Sequence, residues 1–352
     1  MIHRGELLRK LALHVAGFSG LGSVAGRFTG GAGAILMLHR VTRDPAKPCG
    51  FNSHLAITPD FLDAVLTEMR DLGFRFVSMD EIEERLQSRP GAERFIAITA
   101  DDGYRDNLTC ALPVLEKHAA PMTIYVAPAL IDGRVDLWWD VLEDIVCASS
   151  RIFLDTANGR ATFDAETPVQ KARANSAIHN YLTTELPEEE QRRVLRQLAA
   201  QAGVDAGRPS RETLMDWDEV RRAAAHPLIT IGAHTLHHYS LKRLAEDRAR
   251  AEMRDGARYL EIELGSKPRH LSYPYGYAAA VGERETRIAA ELGFATAVTT
   301  RHGVLHRDHL GHMHALPRIS INGRYQRVSH VRTMVNGVTT PLANRGRAVV
   351  TV

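Results

Sequence analysis

Eight short apolar runs rich in β-branched residues constrain the fold of this chain more than any other feature. They fall at about residues 34–38, 75–78, 94–99, 122–127, 229–233, 270–274, 295–299 and 315–319. Most intervals between them carry a helical period. In Asp60-Phe-Leu-Asp-Ala-Val-Leu-Thr-Glu-Met-Arg, apolar residues at 61, 62, 65, 66 and 69 share one face behind an aspartate suited to N-capping. Strands alternating with helices imply a parallel sheet, so the fold class is α/β. Seven or eight such units favour a closed (β/α) barrel of seven or eight strands over an open doubly wound sheet.

Between Ile131 and Asp218 the alternation stops. A helical insertion is expected over about 141–212, within a barrel spanning 34–322. In it, Glu188 to Arg192 and Glu189 to Arg193 have the i,i+4 spacing of an exposed helix, with Pro187 suited to the first turn. Such an insertion can wall a groove, bind a partner or be a solvated excursion. Residues 323–352 form a tail without clear period and are expected to be peripheral. Residues 1–33 hold a mildly apolar stretch, Leu7 to Val24, behind Arg4, Arg9 and Lys10. It is too polar for a membrane span; an uncleaved amphipathic segment is expected, with the protein cytoplasmic and able to associate peripherally with a membrane.

The chemistry concentrates at two strand ends. Arg94-Phe-Ile-Ala-Ile-Thr-Ala runs into Asp101-Asp102-Gly103-Tyr104, and Ile229-Thr-Ile-Gly-Ala runs into His234-Thr-Leu-His-His238. Adjacent carboxylates can divide a reaction, one holding a metal while the other takes a proton. Asp102, His234 and His238 would supply three ligands and leave a hydrolytic metal an open position. Spacing does not separate His238 from His237, which also lies near His234 on a helical turn. His39, Asp101, Asp102, His234 and Tyr275 each follow the carboxyl end of an expected strand, the rim where barrel active sites assemble. A second His-x-x-x-His pair, His302 and His306, trailed by His309, His312 and His314, reads as an exposed connector. Trp138 and Trp139 can stack on a ligand ring or simply pack, and Trp217 is suited to anchoring a helix.

Composition narrows the partners. Forty-four basic and 42 acidic residues leave a formal charge of +2, so no global field argues for nucleic acid. Three cysteines, Cys49, Cys110 and Cys147, are too few and too dispersed for a disulfide framework and are expected to be buried small apolar residues.

These motifs resemble those of the polysaccharide deacetylases with a NodB-type catalytic domain (carbohydrate esterase family 4). Their Thr-Phe-Asp-Asp-Gly is matched by Thr99 to Gly103 with Ala100 for Phe. Their His-Ser/Thr-x-x-His is matched by His234 to His238, and their Arg-x-Pro-Tyr by Ser272-Tyr-Pro-Tyr275, with serine in the arginine position. Leu36-Met-Leu-His39 and Leu316-Pro-Arg318-Ile are similar to segments of the exopolysaccharide deacetylase branch. The resemblance implies metal-dependent removal of N-acetyl groups from an N-acetylated carbohydrate. Zinc is the expected ion, with Co2+, Ni2+ and Fe2+ also suited. The resemblance selects His238 over His237, makes Asp101 the base, Arg318 the substitute for the missing arginine, His39 the general acid ahead of His314, and the Tyr275 N–H the oxyanion donor. O-acetyl esterase, cyclic amidase and non-catalytic sugar binding are the alternatives.

Overall fold

The computed structural model describes residues 29–44, 49–89 and 91–352. The segment expected to be amphipathic lies almost wholly outside them. Among the described residues the expected strands are all present, with four others between: β1 (Gly33–Leu38), β2 (Arg40–Val41), β3 (Ala56–Ile57), β4 (Arg75–Val77), β5 (Phe95–Ala100), β6 (Met122–Val126), β7 (Arg151–Thr156), β8 (Gly159–Asp164), β9 (Ile229–Ala233), β10 (His270–Ser272), β11 (Thr296–His302) and β12 (Leu316–Ser320).

Seven strands close the barrel in the order β1-β12-β11-β10-β9-β6-β5, and β5 returns to β1 in parallel from Gly33↔Phe95 to Leu38↔Ala100. The eighth, β4, stays outside the closure. It pairs with the first half of β5 (Arg75↔Phe95 to Val77↔Ala97), on the edge whose second half, Ile98 to Ala100, pairs with β6.

Every residue of β1 and β5 is buried, as expected of parallel strands covered on both faces. Strand parity then sorts them. Ile35, Phe95, Ala97, Tyr125, Val298 and Leu316 form one inner cluster, whereas Leu36, Leu38, Ile96, Ile98 and Ala100 join a second with the helix α1 (Pro59–Asp71) through Leu62, Leu66 and Met69. Two residues further along each inward row come Met37 and His39, Thr99 and Asp101, Arg318 and Ser320. The period of two therefore carries polar side chains up the inner wall to the carboxyl rim. Gly232 on β9 is required by close approach, since a Cβ there would lie 2.5 Å from the Tyr125 ring. The cap of α1 is Thr58, whose hydroxyl accepts from the Phe61 N–H at 3.2 Å; Asp60, the expected cap, falls inside the first turn behind Pro59.

The insertion has its own core and is not purely helical. Helices α2 (Trp138–Ala148), α3 (Pro168–Asn180) and α4 (Glu188–Gln201) enclose Val141, Ile145, Ile178, Leu195 and Leu198, and the antiparallel hairpin β7–β8 adds Ile152 and Leu154. Its strand signal was short: β7 alternates exposed and buried over six residues before a two-residue turn ending at Gly159, φ 106°. The face expected to be solvated is turned inward. Glu188 and Arg192 are 2% and 7% exposed, because Arg243 of the barrel draws Glu188 in at 3.4 Å and donates to the Thr183 and Leu186 carbonyls. Glu188 pairs with Arg243, Glu189 with Arg248 and Arg193 with Glu190, so neither expected i,i+4 ion pair forms.

Two further expectations fail on packing. The tail supplies a helix, Val328–Val335, whose Val331, Met334 and Val335 enter the main core. The supposed connector after β11 is partly interior, with His309 fully buried between the His306 and Val350 carbonyls. Two of the three cysteines are joined: Cys49 and Cys147 form a disulfide with Cα atoms 6.0 Å apart, tying the loop after β2 to the end of α2. Spacing along the chain could not reveal a pair 98 residues apart. For a loop of that length the chain-entropy account assigns about 4–5 kcal/mol, so Cys49→Ser and Cys147→Ser should each lose roughly that in urea denaturation, and the double variant no more. A loss below about 1 kcal/mol would show that the bond leaves the unfolded chain unconstrained. Among the described residues no helix is long and apolar enough to cross a membrane.

Candidate active site

Parity brings Asp101 and Arg318 together inside the barrel. Arg318, fully buried, donates from Nη1 to Asp101 Oδ1 at 2.8 Å and from Nη2 to Oδ2 at 2.7 Å. The same guanidinium reaches Thr99 Oγ1, Ser272 Oγ and the Thr299 carbonyl, so one side chain spans four strands. Serine at position 272 is the complement of this arrangement: its small side chain sits where the guanidinium of Arg318 arrives from β12. Burial would push the Asp101 carboxyl up, but the bidentate Arg318 outweighs it and holds the group well below the usual carboxylate range.

Asp102 lines the same pocket as Asp101 but meets different partners. Its Oδ1 lies 3.5 Å from His234 Nε2 and 3.3 Å from His238 Nε2, and the three candidate ligand atoms fall within 4.8 Å of one another, all buried. The Nδ1 of His234 is 2.7 Å from the Ser272 carbonyl, which can only accept. In the neutral ring that nitrogen carries the proton and Nε2 presents a lone pair toward Asp102. Asp102 Oδ1 and His238 Nδ1 have no hydrogen-bond partner among the described residues. Lone pairs converging on a buried carboxylate oxygen that accepts no hydrogen bond are the donor set of a cation. The spacing fits too, since ligands about 2.0–2.1 Å from a tetrahedral ion stand about 3.3 Å apart. Burial pushes the His238 ring down to about 3, leaving it neutral. Burial also opposes charge on His234, yet Asp102 and Asp101 raise it; the carboxylates that favour a proton there equally favour a divalent ion.

His237 is turned out of this cluster. Its N–H and Nδ1 both meet the Glu252 carboxylate, at 2.8 and 2.7 Å, so geometry separates it from His238. His314 is also elsewhere, bonded to the Phe294 carbonyl. His39 lines the same pocket as Asp101, Asp102, His234, His238 and Tyr275, a cavity of about 350 Å3. Asp102, Thr235, His238 and Tyr275 hold left-handed backbones, φ 73°, 62°, 56° and 62°, a concentration of strain typical of functional sites. No main-chain carbonyl among the described residues accepts from the Tyr275 N–H.

The sequence did not single out several lining residues: Asn52 and His54 of the disulfide-tied loop, His179 and Thr183 of the insertion, and Tyr277. The loop is seated by Glu143, which accepts from the Phe51 and Asn52 N–H groups at 3.0 and 3.1 Å. Trp138 is buried, with Nε1 donating to the Tyr275 hydroxyl, and Trp139 donates to Tyr104; both are packed parts of the wall. Trp217 pins its helix, donating to Asp132 and stacking on Tyr259.

Known proteins share this architecture. The Streptococcus pyogenes deacetylase PplD, solved in complex with acetate, superposes with a TM-score of 0.54 at 20% identity, covering 86% of this chain and 97% of its own. IcaB from Ammonifex degensii does so with 0.52 at 18% identity, covering 87% and 98%. The Bacillus subtilis (strain 168) protein YxkH, itself only provisionally assigned as a polysaccharide deacetylase, is 21% identical over 289 residues, 82% of this chain and 71% of that protein. Identities this low establish the fold. The family profile described as polysaccharide deacetylase matches residues 88–297, a span that includes both aspartates, both histidines and the Tyr275 turn, and so the chain belongs to the polysaccharide deacetylase family.

Proposed function

We propose that this protein is a metal-dependent carbohydrate N-deacetylase, hydrolysing the acetamide of an N-acetylated sugar in a polysaccharide or glycoconjugate. The observation that carries the reading is the buried Asp102, His234 and His238 cluster opening onto one pocket with the Asp101–Arg318 pair. A divalent ion held by Asp102, His234 and His238, zinc first, would polarise the amide carbonyl and make a water acidic enough to ionise near neutrality.

The chain's own groups supply the rest. Asp101 is the base: Arg318 keeps it ionised and oriented, and each oxygen retains a lone pair for a proton from the attacking water. The Tyr275 N–H donates to the oxyanion of the tetrahedral intermediate. His39 gives a proton to the departing amine, a poor leaving group as an anion.

Acetate release from N-acetylglucosamine oligomers and O-acetylated sugars, using metal-stripped protein with and without zinc, tests the reading. Zinc-dependent release from N-acetyl substrates is expected, and His39→Ala should slow it by about 10²–10⁴-fold. Release confined to O-acetyl substrates would replace the amidohydrolase with an esterase.

A further inference from the structure

The insertion meets the barrel at Tyr275. Its ring packs against both the main core and the insertion's own core, and among the described residues no other partly buried apolar one borders both. The two sides grip different parts of it. From the barrel, Thr300 Oγ1 donates to the Tyr275 carbonyl at 2.7 Å, and the Thr300 N–H donates to the Gly276 carbonyl at 3.1 Å. From the insertion, Trp138 Nε1 donates to the phenol oxygen at 2.9 Å. The buried Arg192 guanidinium lies beside the same phenol and over the Tyr239 ring, 5.9 Å from its centroid.

An aromatic residue at φ 62° keeps that backbone only where its surroundings over-determine it. The barrel's bonds hold the main chain and the edge-on His238 ring, 5.0 Å away, packs against the side chain, while the bond from Trp138 fixes the phenol end. We infer that Trp138 is a positioning residue: through the Tyr275 phenol, the insertion fixes the direction of the Tyr275 N–H. The inference rests on the deacetylase reading for its kinetic consequence, though not for its structural one. It gives the insertion a part in the chemistry instead of substrate contact alone.

A fixed N–H matters only once the oxyanion has formed, so its loosening should appear in kcat and not in KM. Trp138→Phe keeps the ring and removes the donor; Tyr275→Phe keeps the backbone N–H and removes the acceptor. Each is expected to lower kcat on an N-acetylglucosamine oligomer about 10- to 100-fold, below the full loss of an oxyanion donor, with KM within about twofold. The double variant should be no worse than either single one, because both break the same link. Hydrogen–deuterium exchange supplies a readout independent of catalysis: the Tyr273 and Gly276 amides, bonded to the Val298 and Pro274 carbonyls, should exchange faster in Trp138→Phe, with or without zinc. An unchanged exchange rate, additive losses in the double variant, or a raised KM at constant kcat would each overturn the inference. If the wild-type protein released no acetate, the deacetylase reading would fail while the exchange measurement still decided this one.

Discussion

Arg318→Met is expected to destabilise the protein by about 3–5 kcal/mol and to abolish most of its hydrolytic activity. The size follows from removing one member of a buried ion pair while leaving the other, and Asp101 is among the most buried carboxylates in the chain. Without the guanidinium, burial becomes the dominant influence on Asp101, opposed only by the weaker pull of His234 and His39, and raises its pKa, so the side chain takes up a proton and no longer accepts one from water. The sign of the pH dependence follows. In the wild-type protein the Asp101 pKa is depressed, so its contribution is present above the unfolded aspartate value of about 3.9 and fades only on acidification below it. In the variant the folded protein must keep Asp101 protonated while the unfolded chain ionises, which adds about 1.4 kcal/mol to the deficit per pH unit above that value until the buried group ionises too. Urea denaturation at pH 5 and pH 7 measures this. A deficit equal at both would assign the loss to packing alone.

Asp102→Ala should act through the metal and not through stability. Removing the only carboxylate of the triad takes away the charge that favours a cation between two imidazoles, and zinc affinity is expected to fall by more than the roughly 100-fold that even an outer partner can cost. Acetate release should drop to the level of metal-stripped wild-type protein. The metal-free variant, by contrast, is expected to unfold within about 2 kcal/mol of the metal-free wild type, since Asp102 Oδ1 accepts no hydrogen bond and the main added cost is alanine at φ 73°. Zinc content after dialysis, read beside thermal unfolding, separates the two cases. Stoichiometric zinc in Asp102→Ala would refute the ligand assignment.

The barrel was legible in the sequence because parallel strands covered on both faces are written as unbroken β-branched runs, Gly33–Leu38 and Phe95–Ala100 among them. Arg318 was legible only through the family resemblance, as the substitute for the arginine that Ser272 replaces; its place on the inward row, two residues beyond Leu316, is what the structure adds. The contents of the insertion were not. Its hairpin is brief, its cysteine partner lies outside it at 49, and the charged spacing of Glu188 and Arg192 does not say that Arg243 waits on the other side. Burial there is decided by a tertiary partner, which no local period reports. The residues that wall the pocket from that side, His179 and Thr183, were hidden with it.

The left-handed backbones at Asp102, Thr235, His238 and Tyr275 carry a further consequence for how this protein could be improved. At about 1–3 kcal/mol each, four such residues impose a cost comparable to the about 5–15 kcal/mol net stability of a whole domain. The molecule is therefore far from its thermostability optimum, and the slack is concentrated in one place. Selection for heat resistance alone would find glycine at these four positions among its most rewarding substitutions, and would dismantle the pocket before it touched the barrel.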